Sequence, residues 1–173
     1  MNPFPPPPPR PVAFIGYSGS GKTTLLVRLV ARFAEQGRDI GVIKHTHHPL
    51  PSPSGGDTER YLAAGAAAVI LAGRERAMIH RAGSLEPELF GWFEPRELLD
   101  RVGTSQILIE GFKELRAWPR ILVRRTGMEA ADLDLPDLIA VVSDEERLET
   151  ALPRFGFEQI DEIAAFVDRI SRP

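Results

Sequence analysis

From Gly16 to Thr23 the chain reads GYSGSGKT, a full match to the spacing G-x-x-x-x-G-K-[ST]. Each residue type in that pattern has a chemical use. Glycines let the backbone curl until successive N–H groups converge on one point. That point is the positive end of a helix opening near Lys22, which makes it an anion site. The Lys22 ammonium adds a mobile charge for β- and γ-phosphates, and the Thr23 hydroxyl is a hard oxygen that suits Mg²⁺. Gly16, Ser18, Gly19, Ser20, Gly21, Lys22, Thr23 and Thr24 are the expected phosphate contacts. A Gly/Ser-rich turn with a chance lysine would give the same residues. The apolar run before the motif and the leucine-rich segment after it argue instead for binding a nucleoside triphosphate.

Such a loop needs a carboxylate partner for the metal. Ile107-Leu108-Ile109-Glu110-Gly111 reads as a buried strand with an acid at its tip. Glu110 is the expected Mg²⁺ and catalytic partner of Lys22 and Thr23, and Gly111 would let backbone approach the γ-phosphate. The alternative is a strand-terminal glutamate before a turn glycine. Asp57 is the second candidate: it follows Ser54-Gly55-Gly56, as a switch-loop acid would. It can equally cap a helix over 58–64. The run Lys44-His45-Thr46-His47-His48 follows another apolar strand. Ligands of parallel α/β sheets sit at strand carboxyl ends, so Lys44 and His45 are expected to face the phosphates or a substrate. The histidines His45 to His48 could also bind a transition metal or form a solvated loop. The isolated His80 reads as structural.

These residues need a frame. Val12–Ile15, Ile40–Ile43, Ala67–Ala72, Ile107–Ile109, Ile121–Val123 and Leu138–Val142 are short apolar runs that suit buried strands. Ala77–His80 is expected to pair near the third. Leu25, Leu26, Leu29, Val30 and Phe33 recur at helical spacing over 23–36 and stop at Gly37. Pro95 can open a helix through Val102. Asp161 can cap a final helix that buries Ile163, Phe166, Val167 and Ile170. The segment from Lys44 to Gly56 holds three histidines, three prolines and two glycines and reads as a long loop. Strands alternating with helices predict an α/β fold: a three-layer phosphate-loop arrangement, its mainly parallel sheet flanked by helices.

Composition narrows the classes. The 173 residues suffice for one domain, expected over 12–173. The opening MNPFPPPPPRP has no apolar core for export and reads as a polyproline II tail, solvated or docking. A net charge of −3 without a basic block does not suggest a nucleic-acid partner. No stretch approaches the roughly 20 apolar residues of a membrane span. There is no cysteine, which rules out disulfides and thiolate metal sites and fits a cytoplasmic protein.

Taken in order, GYSGSGKTT, GVIKHTHH, GGDTERYLAAGA and ILIEGFK resemble the MobB family of molybdopterin-guanine dinucleotide biosynthesis adapter proteins. KHTHH together with EGFK is far more specific than the phosphate loop alone. The resemblance implies a GTP-binding, weakly GTP-hydrolysing homodimer of the SIMIBI group. Its partner would be the guanylyltransferase that attaches GMP to molybdopterin, and the molybdopterin cofactor itself is a further candidate ligand. It also implies Mg²⁺ on Thr23 and Glu110, with Asp57 and the 44–48 loop facing nucleotide or cofactor. Two departures stand out. The chain's only asparagine is Asn2, so an Asn-Lys-x-Asp guanine signature cannot exist. Guanine choice is expected near Arg124-Arg125-Thr126, with Arg125 a nucleotide contact, although Thr126 stands where the family often has an acid. Tyr17 stands where some SIMIBI relatives carry a lysine that reaches across the dimer. No water-positioning glutamine follows Gly111, so hydrolysis is expected to be slow. The rival readings are a small-molecule kinase with Arg74, Arg76 and Arg81 as a phosphate lid, and a metallochaperone GTPase using the histidine run.

Overall fold

The computed structural model describes residues 10–47, 50, 56–84, 86–91, 95–128, 135 and 137–171. The proline run and His48 lie outside them. Nine strands form one sheet: β1 (Val12–Ile15), β2 (Ile40–His45), β3 (Ala68–Ala72), β4 (Arg76–Arg81), β5 (Glu88–Gly91), β6 (Gln106–Glu110), β7 (Arg120–Arg124), β8 (Leu138–Ser143) and β9 (Arg154–Phe155). Among the described residues four helices accompany them: α1 (Lys22–Glu35), α2 (Gly56–Ala63), α3 (Pro95–Val102) and α4 (Ile160–Ser171). The strand order is β5-β4-β3-β2-β6-β1-β7-β8-β9. Pairing is parallel from β3 through β9, and β4 runs antiparallel to both of its neighbours.

Alternation along the strands divides the core. Val12 and Phe14 face α1, α2 and α4, joining Leu26, Leu29, Tyr61, Val123 and Val167. Ala13 faces the other way, with Ile43, Ile109, Phe112 and Trp118 beneath α3. Ile15, Leu122 and Val141 form a third cluster on that second face. Every β1 side chain is buried, as expected for a central strand covered on both sides.

Several boundaries differ from those read in the sequence. Strand β2 runs on through Lys44 and His45, whose Cα partners are Leu71 and Ala72 on β3; the predicted loop therefore starts later. Asp57 lies inside the first turn of α2 and not at a capping position before Thr58, and its carboxylate accepts from Lys44. Asp161 likewise lies in the first turn of α4.

The connections create a crevice. The β1–α1–β2 crossover skips one position, which β6 later fills, whereas the chain leaving β6 crosses to β7. Loops at the carboxyl ends of β1 and β6 thus depart in opposite directions, the arrangement that opens a ligand crevice in α/β sheets.

Gly41 permits the close seating of α3 on β2. A Cβ there would stand 2.0 Å from Val102 Cγ1 and 2.6 Å from Thr104 Oγ1. Gly41→Ala should lower stability by about 1–3 kcal/mol through overpacking. Urea unfolding tests this, and an unchanged midpoint would contradict the packing of α3 described here.

Candidate functional site

The phosphate loop links β1 to α1. Gly16, Gly19 and Gly21 have φ of 147°, 77° and 94°. A Cβ on Gly16 would lie 2.2 Å from the Val123 carbonyl oxygen, so the loop rests directly on β7. Gly21 precedes α1 in a left-handed conformation, no side chain caps the helix, and its first turn has no acid. The first-turn N–H groups are therefore open to an anion. Ser18 and Gly19 form the exposed tip, Ser20 is buried, and Thr24 is exposed on the first turn of α1. Lys22 folds back over the loop: its Nζ donates to Gly16 O at 3.0 Å and Tyr17 O at 2.7 Å. Burial holds this ammonium below the ordinary lysine range, with Glu110 pulling the other way and Lys44 adding to the depression.

Glu110 ends β6 and is 5% exposed. Its Oε1 accepts from Thr23 Oγ1 at 2.7 Å. Its Oε2 accepts from Tyr61 OH at 2.7 Å and Lys44 Nζ at 3.0 Å. Lys44 Nζ also donates to Asp57 Oδ2 at 2.5 Å and Thr23 Oγ1 at 3.3 Å. Burial works against the Lys44 charge, but Glu110 and Asp57 outweigh it and raise its pKa. Thr23, Lys44, Asp57 and Glu110, named from the sequence, thus converge on one point. Burial, and then the Glu110 charge, push the Tyr61 phenol far above its usual range, so it stays a donor. Tyr61 was not anticipated. Its signal was the four-residue spacing from Asp57 on one helical face.

The donor set suits Mg²⁺. Two carboxylates and a hydroxyl already surround a single cation, the Lys44 ammonium, and all three are hard oxygen ligands. Thr23 and Glu110 would hold the ion, with Asp57 beside them. No group of three His, Cys, Asp or Glu side chains poised to ligate a metal occurs among the described residues. His45 instead packs against Phe112 and His47, at ring separations of 4.8 and 4.6 Å. Burial, then His47 and Arg74, hold its imidazole below the usual histidine range.

Beside this cluster lies a cavity of about 770 Å³, bordered by Lys22, Lys44, His45, His47, Arg74 and Lys113 among others. Gly111 turns the chain with φ of 90°, its Cβ position 3.2 Å from His45 Cβ. Its N–H is already donated to Phe14 O at 3.0 Å. The three arginines of the kinase reading do not converge. Arg76 and Arg81 bound opposite ends of β4, and Arg81 donates to Arg101 O on α3. Arg125 lies apart from the Glu110 cluster, following β7, with its guanidinium 3.9 Å above the Phe157 ring.

Tyr61→Phe should keep the fold but lower stability by about 1.5–3 kcal/mol, the range for a hydrogen bond to a charged partner. Chemical denaturation checks this; no change would mean that the hydroxyl contributes nothing to holding Glu110.

Residues 12–144 match the family model described as MobB, molybdopterin guanine dinucleotide synthesis protein B. The chain is 33% identical over 154 residues to the molybdopterin-guanine dinucleotide biosynthesis adapter protein of Haemophilus influenzae, covering 88% of this chain and 84% of that one. Identity is 32% over 161 residues to the Escherichia coli adapter protein, covering 90% of each. The crystal structure of Bacillus subtilis MobB superposes with a TM-score of 0.62 at 25% identity, covering 93% of this chain and 98% of that one. The family model spanning residues 12–144 and relatives 32–33% identical over most of the chain place this protein in the MobB family.

Proposed function

We propose that the protein is a GTP-binding adapter of molybdenum cofactor biosynthesis that assists the guanylyltransferase making molybdopterin guanine dinucleotide. The observation that carries this reading is the convergence of Thr23, Lys44, Asp57 and Glu110 beside the uncapped start of α1. Phosphates would lie on the Gly16–Thr24 loop and draw the Lys22 ammonium off the carbonyls it now holds. Mg²⁺ on Thr23 and Glu110 would take over the counter-charge that Lys44 supplies. Asp57 joins α2 to that point, so a bound triphosphate would reposition α2 and alter the surface offered to the guanylyltransferase. The adjoining cavity, with His45, His47, Arg74 and Lys113 at its border, suits a second anionic ligand such as the molybdopterin cofactor. The working form is a cytoplasmic homodimer.

Hydrolysis is slow in this reading. Phe112, not a water-orienting glutamine, follows Gly111, and its ring is buried against His45 and Trp118. Without such a group or an arginine finger, turnover is expected below about 0.01 per second. Tens of turnovers per second from the protein alone would contradict it.

The direct test is binding of fluorescent GTP with and without Mg²⁺, competed by GTP and ATP. GTP should compete at least tenfold better, a difference of about 1.4 kcal/mol. EDTA should weaken binding, and Lys22→Ala should abolish it. Equal or better competition by ATP would overturn the guanine assignment.

A further inference from the structure

The nucleotide reading leaves the proline run at the start of the chain without a role. Met1 to Pro9 lie outside the described residues, but the place where the chain enters the sheet bears on them. Ala13 pairs with Arg120 on β7, and its N–H donates to Pro119 O at 2.9 Å. Two residues back along these parallel strands stand Pro11, which is buried, and Trp118. Beyond β7, the Arg120 N–H donates to Asp137 O at 3.1 Å, just before β8. The amino ends of β1, β7 and β8 therefore form one rim, at the opposite end of the sheet from the phosphate loop.

That rim carries a groove of about 320 Å³, bordered by Arg116, Ala117, Trp118, Pro119, Asp137 and Ile139. An indole, a proline ring, a methyl group and an isoleucine make its wall largely apolar, with Arg116 and Asp137 exposed. Phe112 meets the Trp118 ring edge-on, 6.2 Å between centroids, so packing sets the indole's orientation before anything binds.

Aromatic-lined grooves take polyproline II segments, whose conformation is preset and whose ordering costs little. Proline has no N–H, so such a segment asks few hydrogen bonds of an apolar wall. Pro5 to Pro9 are five consecutive prolines. They lead directly into Arg10, whose N–H donates to Ser171 O at 3.3 Å. Neighbouring strands lie about 4.8 Å apart, which puts β8 about 10 Å from β1 along the rim. At about 3.1 Å per residue, about three prolines in this conformation span that distance, fewer than the run supplies.

We propose that Pro5–Pro9 docks in the groove of its own chain as a polyproline II segment, lying across Trp118 and Pro119 toward Ile139. The tether favours this occupant over any other proline-rich segment, because a short connection supplies an effective concentration on the order of millimolar. A proline-rich partner reaches Trp118 only by displacing it.

The test uses the full chain with Trp92→Phe, which leaves Trp118 as the single indole N–H signal in NMR spectra. Three forms are compared: the native tail, a tail with Pro5–Pro9 replaced by glycine and serine at unchanged length, and Ala117→Glu, which sets a charged side chain on the exposed groove wall. The native tail should give nuclear Overhauser contacts between the indole ring and proline rings that are absent from the Gly/Ser tail. Ala117→Glu should lose those contacts while its circular dichroism stays native. The indole signal should shift in the Gly/Ser form, and the free peptide MNPFPPPPPRP should return it at about millimolar concentration. An indole signal and contacts that are identical with the native and Gly/Ser tails overturn the proposal, and so do contacts that persist in Ala117→Glu. In a mixture of isotope-labelled and unlabelled chains the contacts should stay within one chain. Contacts between chains would show that the groove takes the tail of a second copy, which overturns docking in the same chain.

Discussion

The Glu110 carboxylate is the point on which the site depends. A charge 5% exposed at the end of a central strand is tolerated only when neighbours replace the water it has lost. Three do so: Thr23 from α1, Tyr61 from α2 and Lys44 from β2. Four elements, α1, α2, β2 and β6 itself, therefore meet at one group. The same arrangement gives the site its chemistry, since a carboxylate with a hydroxyl and a second acid nearby attracts a small hard cation.

The phosphate loop follows a different logic. Its shape is imposed by β7, because only a residue without Cβ lets the Gly16 backbone approach the Val123 carbonyl this closely. Helix α1 has neither a capping side chain nor an acid at its start, although such a cap ordinarily contributes about 1 kcal/mol. The helix forgoes that local stability and keeps its first N–H groups for a ligand. Lys22 shares this character: partly desolvated, it bonds to carbonyl oxygens and not to a carboxylate, so an incoming phosphate competes only with weak partners. Departures from locally favourable choices are expected where a site needs them.

The crevice has two unlike sides. Toward β2 and β6 it is a cavity rich in ionisable groups. Toward β7 and β8 it offers the flat Arg125–Phe157 stack and the Asp144 carboxylate. The strand order produces this division by placing β1 between β6 and β7. A ligand with a charged end and an aromatic end can lie across it in one direction only.

The sequence by itself determined the parts whose physics is local. The phosphate loop is legible because its donors, lysine and hydroxyl lie within adjacent residues, and the apolar runs announce buried strands because a parallel sheet covered on both faces needs them. Glu110 could be singled out because an acid directly after such a run stands at a strand tip. Polar strand ends were less legible: Lys44 and His45 extend β2 only because β3 and β6 supply backbone partners alongside. The short strands β5 and β9 have no apolar run to announce them. Only the tertiary structure decided which groups meet. Lys44 and Glu110 are 66 residues apart, Thr23 and Glu110 are 87 apart, and Asp144 reaches Arg125 and Thr126 from the next strand. Those pairings follow from strand order and register, which arise from packing both faces of one sheet and are not encoded in any single segment.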